Sequence, residues 1–349
     1  MEIFVPSKKA VARAGETLRH EDTVSLKEKE EAFRTLSQWR GLFAYPLKTF
    51  YSLLSKKCDS LGLTNAIVAR RMKRTPSIIK KLKRFEDMRL DRMQDIGGLR
   101  VIVSSTADVY KLHNNLCGSK IAHNAVNCDD YIKSPKSDGY RSLHQVFKYQ
   151  SKAHPELNGL RVEVQIRTKI QHYWATAVEA LGVIEKAAFK SGEGNQEFKR
   201  FFILSSALLS IKENQPVVDE LANMEPIEIV KELEDLEQKL SVFLKLQGVA
   251  ITVKRLGSQK KVAYYLMELN VAENSLRLWG FSSSDLKEAE DYYKFRETEA
   301  REKENVDVVL ISADSLKLVK KAYPNYFLDC DEFIKNLKEI CEKIKTKSQ

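Results

Sequence analysis

Val162-Glu163-Val164-Gln165-Ile166-Arg167-Thr168 is the stretch on which the reading of this chain turns. Apolar and polar residues alternate, so a strand would carry Val162, Val164 and Ile166 on one face and Glu163, Gln165 and Arg167 on the other. A short face bearing a carboxylate, an amide and a guanidinium is either an exposed surface or the floor of a polar site. The segment runs directly into Thr168–Glu185, where a helix is expected. Upstream, Leu143–Tyr149 alternates in the same way. Between the two strands, Pro155 and Asn158-Gly159 supply turn chemistry.

Further upstream, Leu99–Ser104 is β-branched and apolar and predicts a buried strand. Asp95-Ile96-Gly97-Gly98 precedes it. A carboxylate at a strand mouth beside paired glycines leaves room for phosphate oxygens or a cation near the backbone, although a capping Asp before a bend has the same pattern. Ala107–Cys117 reads as a short helix. Arg70–Arg84 holds eight basic residues and no acidic one. Read as part of a helical zone over Asn65–Phe85, it places Arg70, Lys73 and Ser77 on one face, with Ser77 and Lys81 also together. Such a ridge suits a triphosphate, a generic RNA contact or plain solvation. Ser25–Cys58 is a helical region with a break at Pro46.

Asp130–His144 is a basic loop with Pro135 and Gly139, ending in Tyr140 where a strand is expected to open. An aromatic ring there can stack on a base while lysines hold phosphates. An ordinary surface hairpin would be less dense in donors. Glu193–Gln247 reads as almost entirely helical. After Gly248 the pattern changes to strands at Val249–Arg255, Val262–Leu269 and Ser275–Gly280, a charged helix over Asp285–Glu304, a strand at Val306–Ser312 and a last helix. A boundary is therefore expected near 245–250.

The 349 residues carry a net charge of +10. Residues 1–200 hold 36 Lys/Arg against 22 Asp/Glu, leaving 22 against 26 for the rest. A basic half joined to a mildly acidic half suits a polyanion-handling module with a different partner domain, although surplus lysine also serves solubility. Five cysteines with no C-x-x-C pair read as reduced thiols of a cytoplasmic protein, and neither a secretory leader nor a membrane span is legible.

In their order and spacing over roughly residues 65–180, these segments resemble the RelA/SpoT synthetase family, which is related to the nucleotidyltransferases. The resemblance implies an α+β fold: a mixed β-sheet flanked by helices over 1–190, a helical connector over 191–248 and a small C-terminal α/β regulatory domain over 249–349. It implies Mg²⁺-dependent transfer of pyrophosphate from ATP to a ribose 3′-hydroxyl. Asp95 and Glu163 would be the catalytic, metal-binding carboxylates. Arg71, Lys73, Ser77, Lys81 and Arg100 would bind ATP, with Arg71 stacking on adenine. Lys136, Tyr140, His144, Gln165 and Arg167 would serve the acceptor. Asp138 and His172 depart from the residues usual at their positions, and the family's hydrolase domain has no counterpart.

Lys321-Ala322-Tyr323-Pro324-Asn325-Tyr326-Phe327 is similar to the Tyr-x-x-Tyr segment of CapRel-type fused toxin–antitoxin synthetases. That resemblance implies a translation-inhibiting toxin acting on the tRNA 3′ end in phage defence. Tyr323 and Tyr326 would restrain it, and a phage protein would be the trigger at the C-terminal domain. The alternatives are a small alarmone synthetase making (p)ppGpp or (p)ppApp from GDP/GTP or adenine nucleotides, and a non-catalytic RNA-binding module.

Overall fold

The computed structural model describes residues 4–73, 75–187, 194–255, 262–270, 275–301, 306–312 and 326–348. The fold is α+β. Close contacts divide the chain into two units: one comprises 1–132 with 142–169, and the other 133–141 with 170–349.

The first unit opens with three helices, α1 (Lys8–Arg19), α2 (Leu26–Gly41) and α3 (Ala44–Ser60). Ser25 and Glu28 cap α2 reciprocally, each side chain bonding the other's backbone N–H. Pro46 falls in the first turn of α3, where no intrahelical N–H is required, so it sits at a helix start rather than within a bent one. Next come β1 (Ile67–Met72), α4 (Thr75–Arg84), β2 (Gly97–Val103), α5 (Thr106–Gly118), β3 (Asn124–Asp130), β4 (Leu143–Lys148) and β5 (Arg161–Thr168). The five strands form one mixed sheet in the order β1-β2-β5-β4-β3. Only β2 and β5 run parallel, with Gly98 opposite Glu163 and Arg100 opposite Gln165.

The register gives the sheet two unlike faces. Leu99, Val101, Val103, Val162, Val164, Ile166, Leu143 and Phe147 enter a core shared with residues of α1 to α5. The opposite face carries Gly98, Arg100, Glu163, Gln165 and His144. Period two therefore does separate Val162 from Glu163 as the sequence predicts, and burial of the apolar set fixes which face is which.

Two expectations are corrected here. The basic helical zone from Asn65 divides into strand β1 and helix α4, so Arg70, Lys73 and Ser77 do not share a helical face; Ser77 and Lys81 do, both lying on α4. Pairing with β2 satisfies the backbone of Ile67–Met72 in extended form, a long-range event that no local pattern reports. β3, Asn124–Asp130, was not expected either; its residues are almost all exposed and lack an apolar alternation.

The second unit continues with α6 (Lys169–Ala187), α7 (Gly194–Lys212), α8 (Pro226–Leu240) and α9 (Val242–Arg255). After α9 come β6 (Tyr264–Asn270), β7 (Ser275–Phe281), α10 (Leu286–Arg301), β8 (Val306–Ser312) and α11 (Tyr326–Ser348). The second sheet is antiparallel, in the order β7-β6-β8. The strand expected at Val249–Arg255 is instead the second half of α9, whose Val242 and Leu246 are buried with residues of α6, α7, α8 and α11. Tertiary packing overrides the β-branched composition there. Tyr323 lies outside the described residues, and Tyr326 is described only as the backbone start of α11. Among the described residues no helix is long and apolar enough to cross a membrane.

Candidate active site

Asp95 follows the short turn Leu90–Arg92 and precedes β2 by two residues. Its surroundings are built from the β1 side. Antiparallel pairing carries Met72 to Gly97, and one further bond, Lys73 N–H to Ile96 O at 2.8 Å, brings Lys73 alongside Asp95. Arg40 of α2 braces the same corner: its Nε donates to Lys73 O (3.1 Å) and its Nη1 to Thr75 Oγ1 (3.1 Å). Gly97 is required by space, since a Cβ there would stand 2.5 Å from the Phe43 ring.

Lys73 Nζ donates to Asp95 Oδ2 at 2.8 Å, and Lys81 Nζ, from α4, to Oδ1 at 3.0 Å. Burial pushes the Asp95 carboxyl toward the neutral form. The two ammonium groups more than offset this and hold it below its ordinary value, so it is ionised at neutral pH.

Glu163 lies two strands from β1, opposite Gly98. Gly98 brings the backbones close: a Cβ on it would be 3.1 Å from Glu163 O. The Glu163 carboxylate keeps 15% of its side chain exposed and lies 3.1 Å from His144 Nδ1 through Oε1. Gln165 Nε2 donates to its other oxygen at 2.7 Å. Burial again favours the neutral acid, but the His144 contact and the Gln165 amide prevail and the group is held low. The negative charge of Asp95 acts on Glu163 in the opposite, raising direction. Along the chain Asp95 stands three residues before Gly98, the residue of β2 opposite Glu163.

Of the expected ATP-binding residues, Lys73, Lys81 and the half-buried Arg100 thus belong to the first unit, with Ser77 exposed on α4. Arg71 occupies the register position opposite Gly98. His144 and Gln165 stand opposite one another on β4 and β5. Arg167 is only 1% exposed, which makes it a buried guanidinium near the end of β5 rather than part of an open floor. Arg40 could not have been singled out, because nothing local ties it to a loop 33 residues away.

Lys136 and Tyr140 belong to the second unit. Their loop is a closed turn: Lys136 N–H donates to Tyr140 O (3.2 Å), Gly139 N–H to Lys136 O (2.8 Å), and Asp138 Oδ1 accepts from Tyr140 N (3.0 Å). Lys136 Nζ lies 5.4 Å from the Tyr140 ring centre. The unusual Asp138 therefore folds the loop. The unusual His172 pairs through Nε2 with Oδ2 of Asp329 at 3.3 Å.

Among the described residues no group of three or more His, Cys, Asp or Glu forms a metal cage. Asp95 and Glu163 are nevertheless a hard-oxygen pair of the sort that holds Mg²⁺ together with substrate phosphates, so the donor set fits that ion.

The family described as "Region found in RelA / SpoT proteins" matches residues 70–193. The GTP pyrophosphokinase YwaC of Bacillus subtilis (strain 168) is 31% identical over 138 residues, covering 37% of this chain and 65% of that protein. The GTP pyrophosphokinase YjbM of the same strain is 34% identical over 116 residues, or 33% and 54% of the two chains. The chain therefore spans less than two thirds of these relatives' length. Among solved structures, the small alarmone synthetase 1 of Bacillus subtilis bound to its product pppGpp superposes with a TM-score of 0.43 at 24% identity, over 52% of this chain and 94% of that one. A GTP pyrophosphokinase family protein from Streptococcus pneumoniae gives a TM-score of 0.42 at 22% identity, over 60% and 98%.

Proposed function

Starting from residues 70–193 as a RelA/SpoT synthetase region, we propose that this protein moves the β,γ-pyrophosphate of ATP onto the 3′-hydroxyl of a guanosine nucleotide. The observation that carries this reading is the pair Asp95 and Glu163, both kept ionised, with Glu163 opposite Gly98 of β2 and Asp95 three residues before that glycine. Mg²⁺ on that pair would bind and polarise the phosphates of the donor. Lys73 and Lys81 neutralise Asp95 in the ligand-free protein; they are flexible ammonium groups able to turn from a carboxylate to a phosphate. Arg100, at the next position of like facing on β2, adds a permanent positive charge.

Glu163 accepts the proton of the attacking hydroxyl at Oε1 or Oε2, with Gln165 fixing the carboxylate plane. His144, 3.1 Å away, stabilises its charge. Lys136 and Tyr140 are assigned to the acceptor's phosphates and base, on the family resemblance of their loop.

The acceptor is assigned from the relatives, two of which are named GTP pyrophosphokinases. The tRNA 3′ end, with restraint by the C-terminal region and a phage trigger, is a second reading, favoured by the excess of 36 basic over 22 acidic residues in 1–200. One assay decides. ATP labelled in its γ-phosphate is incubated with the protein, Mg²⁺ and either GDP, GTP or total tRNA. Label in a guanosine nucleotide supports the first reading and label in tRNA the second. No transfer to any acceptor overturns both.

A further inference from the structure

The loop expected to hold the acceptor is anchored by a helix far from it in sequence. Ser206, on α7, is 2% exposed and acts as a junction: its Oγ donates to Gly139 O at 2.6 Å and accepts from Arg141 Nε at 3.1 Å. Gly139 has φ +87°, a left-handed conformation that favours glycine. Space also excludes any other residue: a Cβ would stand 2.9 Å from Ser206 Cβ and 3.2 Å from the Trp174 ring.

The ring itself is held in place, because Trp174 Nε1 donates to Phe202 O (2.9 Å) and Ser205 Oγ (3.2 Å), both on α7. Arg141 is 4% exposed. Burial pushes its guanidinium down to about 10, with the charge of Glu213 working the other way, so it remains protonated at neutral pH and keeps its hydrogen-bonding role. Every one of these groups belongs to the second unit.

We propose that Ser206 is a positioning residue that holds loop 133–141 in its acceptor-binding shape by clasping Gly139 and Arg141. The proposal rests on the pyrophosphotransferase reading and gives that reading a control point. Lys136 and Tyr140 flank the clasped glycine, so releasing Gly139 O frees the turn that orients both. The clasp also joins the loop to the rest of the unit. Lys212, at the end of α7, donates to Asn336 Oδ1 (2.8 Å) and Glu339 Oε2 (2.7 Å), so α7, which carries Ser206, is also tied to α11.

The test compares Ser206→Ala with Ser210→Ala in the full chain. Ser210 is an equally buried serine one turn along whose hydroxyl donates to Ala207 O of the same helix at 2.7 Å. Loss of a buried junction should raise the acceptor KM on the order of tenfold in Ser206→Ala. The KM for ATP should stay within about twofold, and Ser210→Ala should raise neither selectively. Amide exchange over residues 133–141 should accelerate about tenfold in Ser206→Ala, with exchange in α8 unchanged. Equal rises in both KM values, or unchanged exchange in the loop, would overturn the proposal. Gly139→Ala, which forces the same junction apart from the loop side, must reproduce both effects and substitutes if Ser206→Ala does not fold. If the wild-type protein transfers no label to any acceptor, the enzymatic reading fails, while the exchange measurement still judges the clasp.

Discussion

Two glutamates on strands, one in each unit, contrast the carboxylate proposed as the general base with one fixed in an ion-pair cluster. Glu163 on β5 is held by a titratable ring and a neutral amide, near the negative charge of Asp95. Glu268 on β6 is 5% exposed and lies between two guanidinium groups. Arg296 donates to its Oε2 from Nε at 2.7 Å and also from Nη2, and Arg277, directly opposite on β7, reaches Oε1 at 3.4 Å. Guanidinium is planar and permanently charged, so Glu268 is neutralised in place and has nothing left to offer a ligand. Glu163 is held by an imidazole and a neutral amide, neither of which carries a permanent charge. What separates the two carboxylates is whether their partners are exchangeable, more than how deeply each is buried.

The sharpest way to break this comparison is to neutralise each in turn. Glu163→Gln is expected to lower the transfer rate about 10³-fold, the scale of a lost general base, with a melting temperature close to wild type. A comparable loss of rate in Glu268→Gln would erase the distinction. Next in size, Lys73→Ala should raise the KM for ATP and lower kcat/KM some 10- to 100-fold, because one charge-assisted phosphate contact goes. It should also relieve the ion pair that keeps Asp95 low, moving that carboxyl back up.

The pH profile probes both carboxylates together. Each is held below its ordinary value, 3.8 for Asp95 and 4.5 for Glu163. Their ionised forms therefore contribute stability that is fully present above those ordinary values and is lost as pH falls through the lowered ones. Neither group should produce an acid limb in kcat/KM between pH 8 and about 5. An inflection there that disappears in Glu163→Gln would show that Glu163 is not held low.

Glu268→Gln should leave turnover within about twofold of wild type and cost roughly 2 kcal/mol of stability. That is less than a fully buried pair would lose, because Arg277 is largely in water. Thermal melting checks it. The smallest effect is expected for Gln165→Ala, a loss of a few-fold in kcat as the Glu163 plane loosens, with acceptor KM unchanged.

Much of the first unit was legible in the chain. The alternation in Val162–Ile166 fixes which residues are apolar-facing, and burial of Val162, Val164 and Ile166 against the helices leaves Glu163 and Gln165 on the other face. Arg167, which shares their parity, ends fully buried all the same, because period two reports the face of a strand and not what later covers it. Asp95 before paired glycines was readable as a strand-mouth carboxylate. Its two lysines were expected as phosphate ligands and are found on the carboxylate itself, an arrangement that only proximity across 22 and 14 residues produces.

By itself the sequence determined the amphipathic parity of its strands and marked Asp95 as a carboxylate at a strand mouth and Glu163 as one on a polar strand face. These follow from side-chain type and spacing, which are local. The tertiary structure decided that Ile67–Met72 is a strand and Val249–Arg255 a helix, because β2 supplies backbone partners to the first, and the second continues α9, whose Val242 and Leu246 are buried among other helices. It also placed Ser206 against Gly139, 67 residues away, where one hydroxyl meets a carbonyl and a buried guanidinium. Contacts of that range depend on how the whole chain closes, and no window of residues contains them.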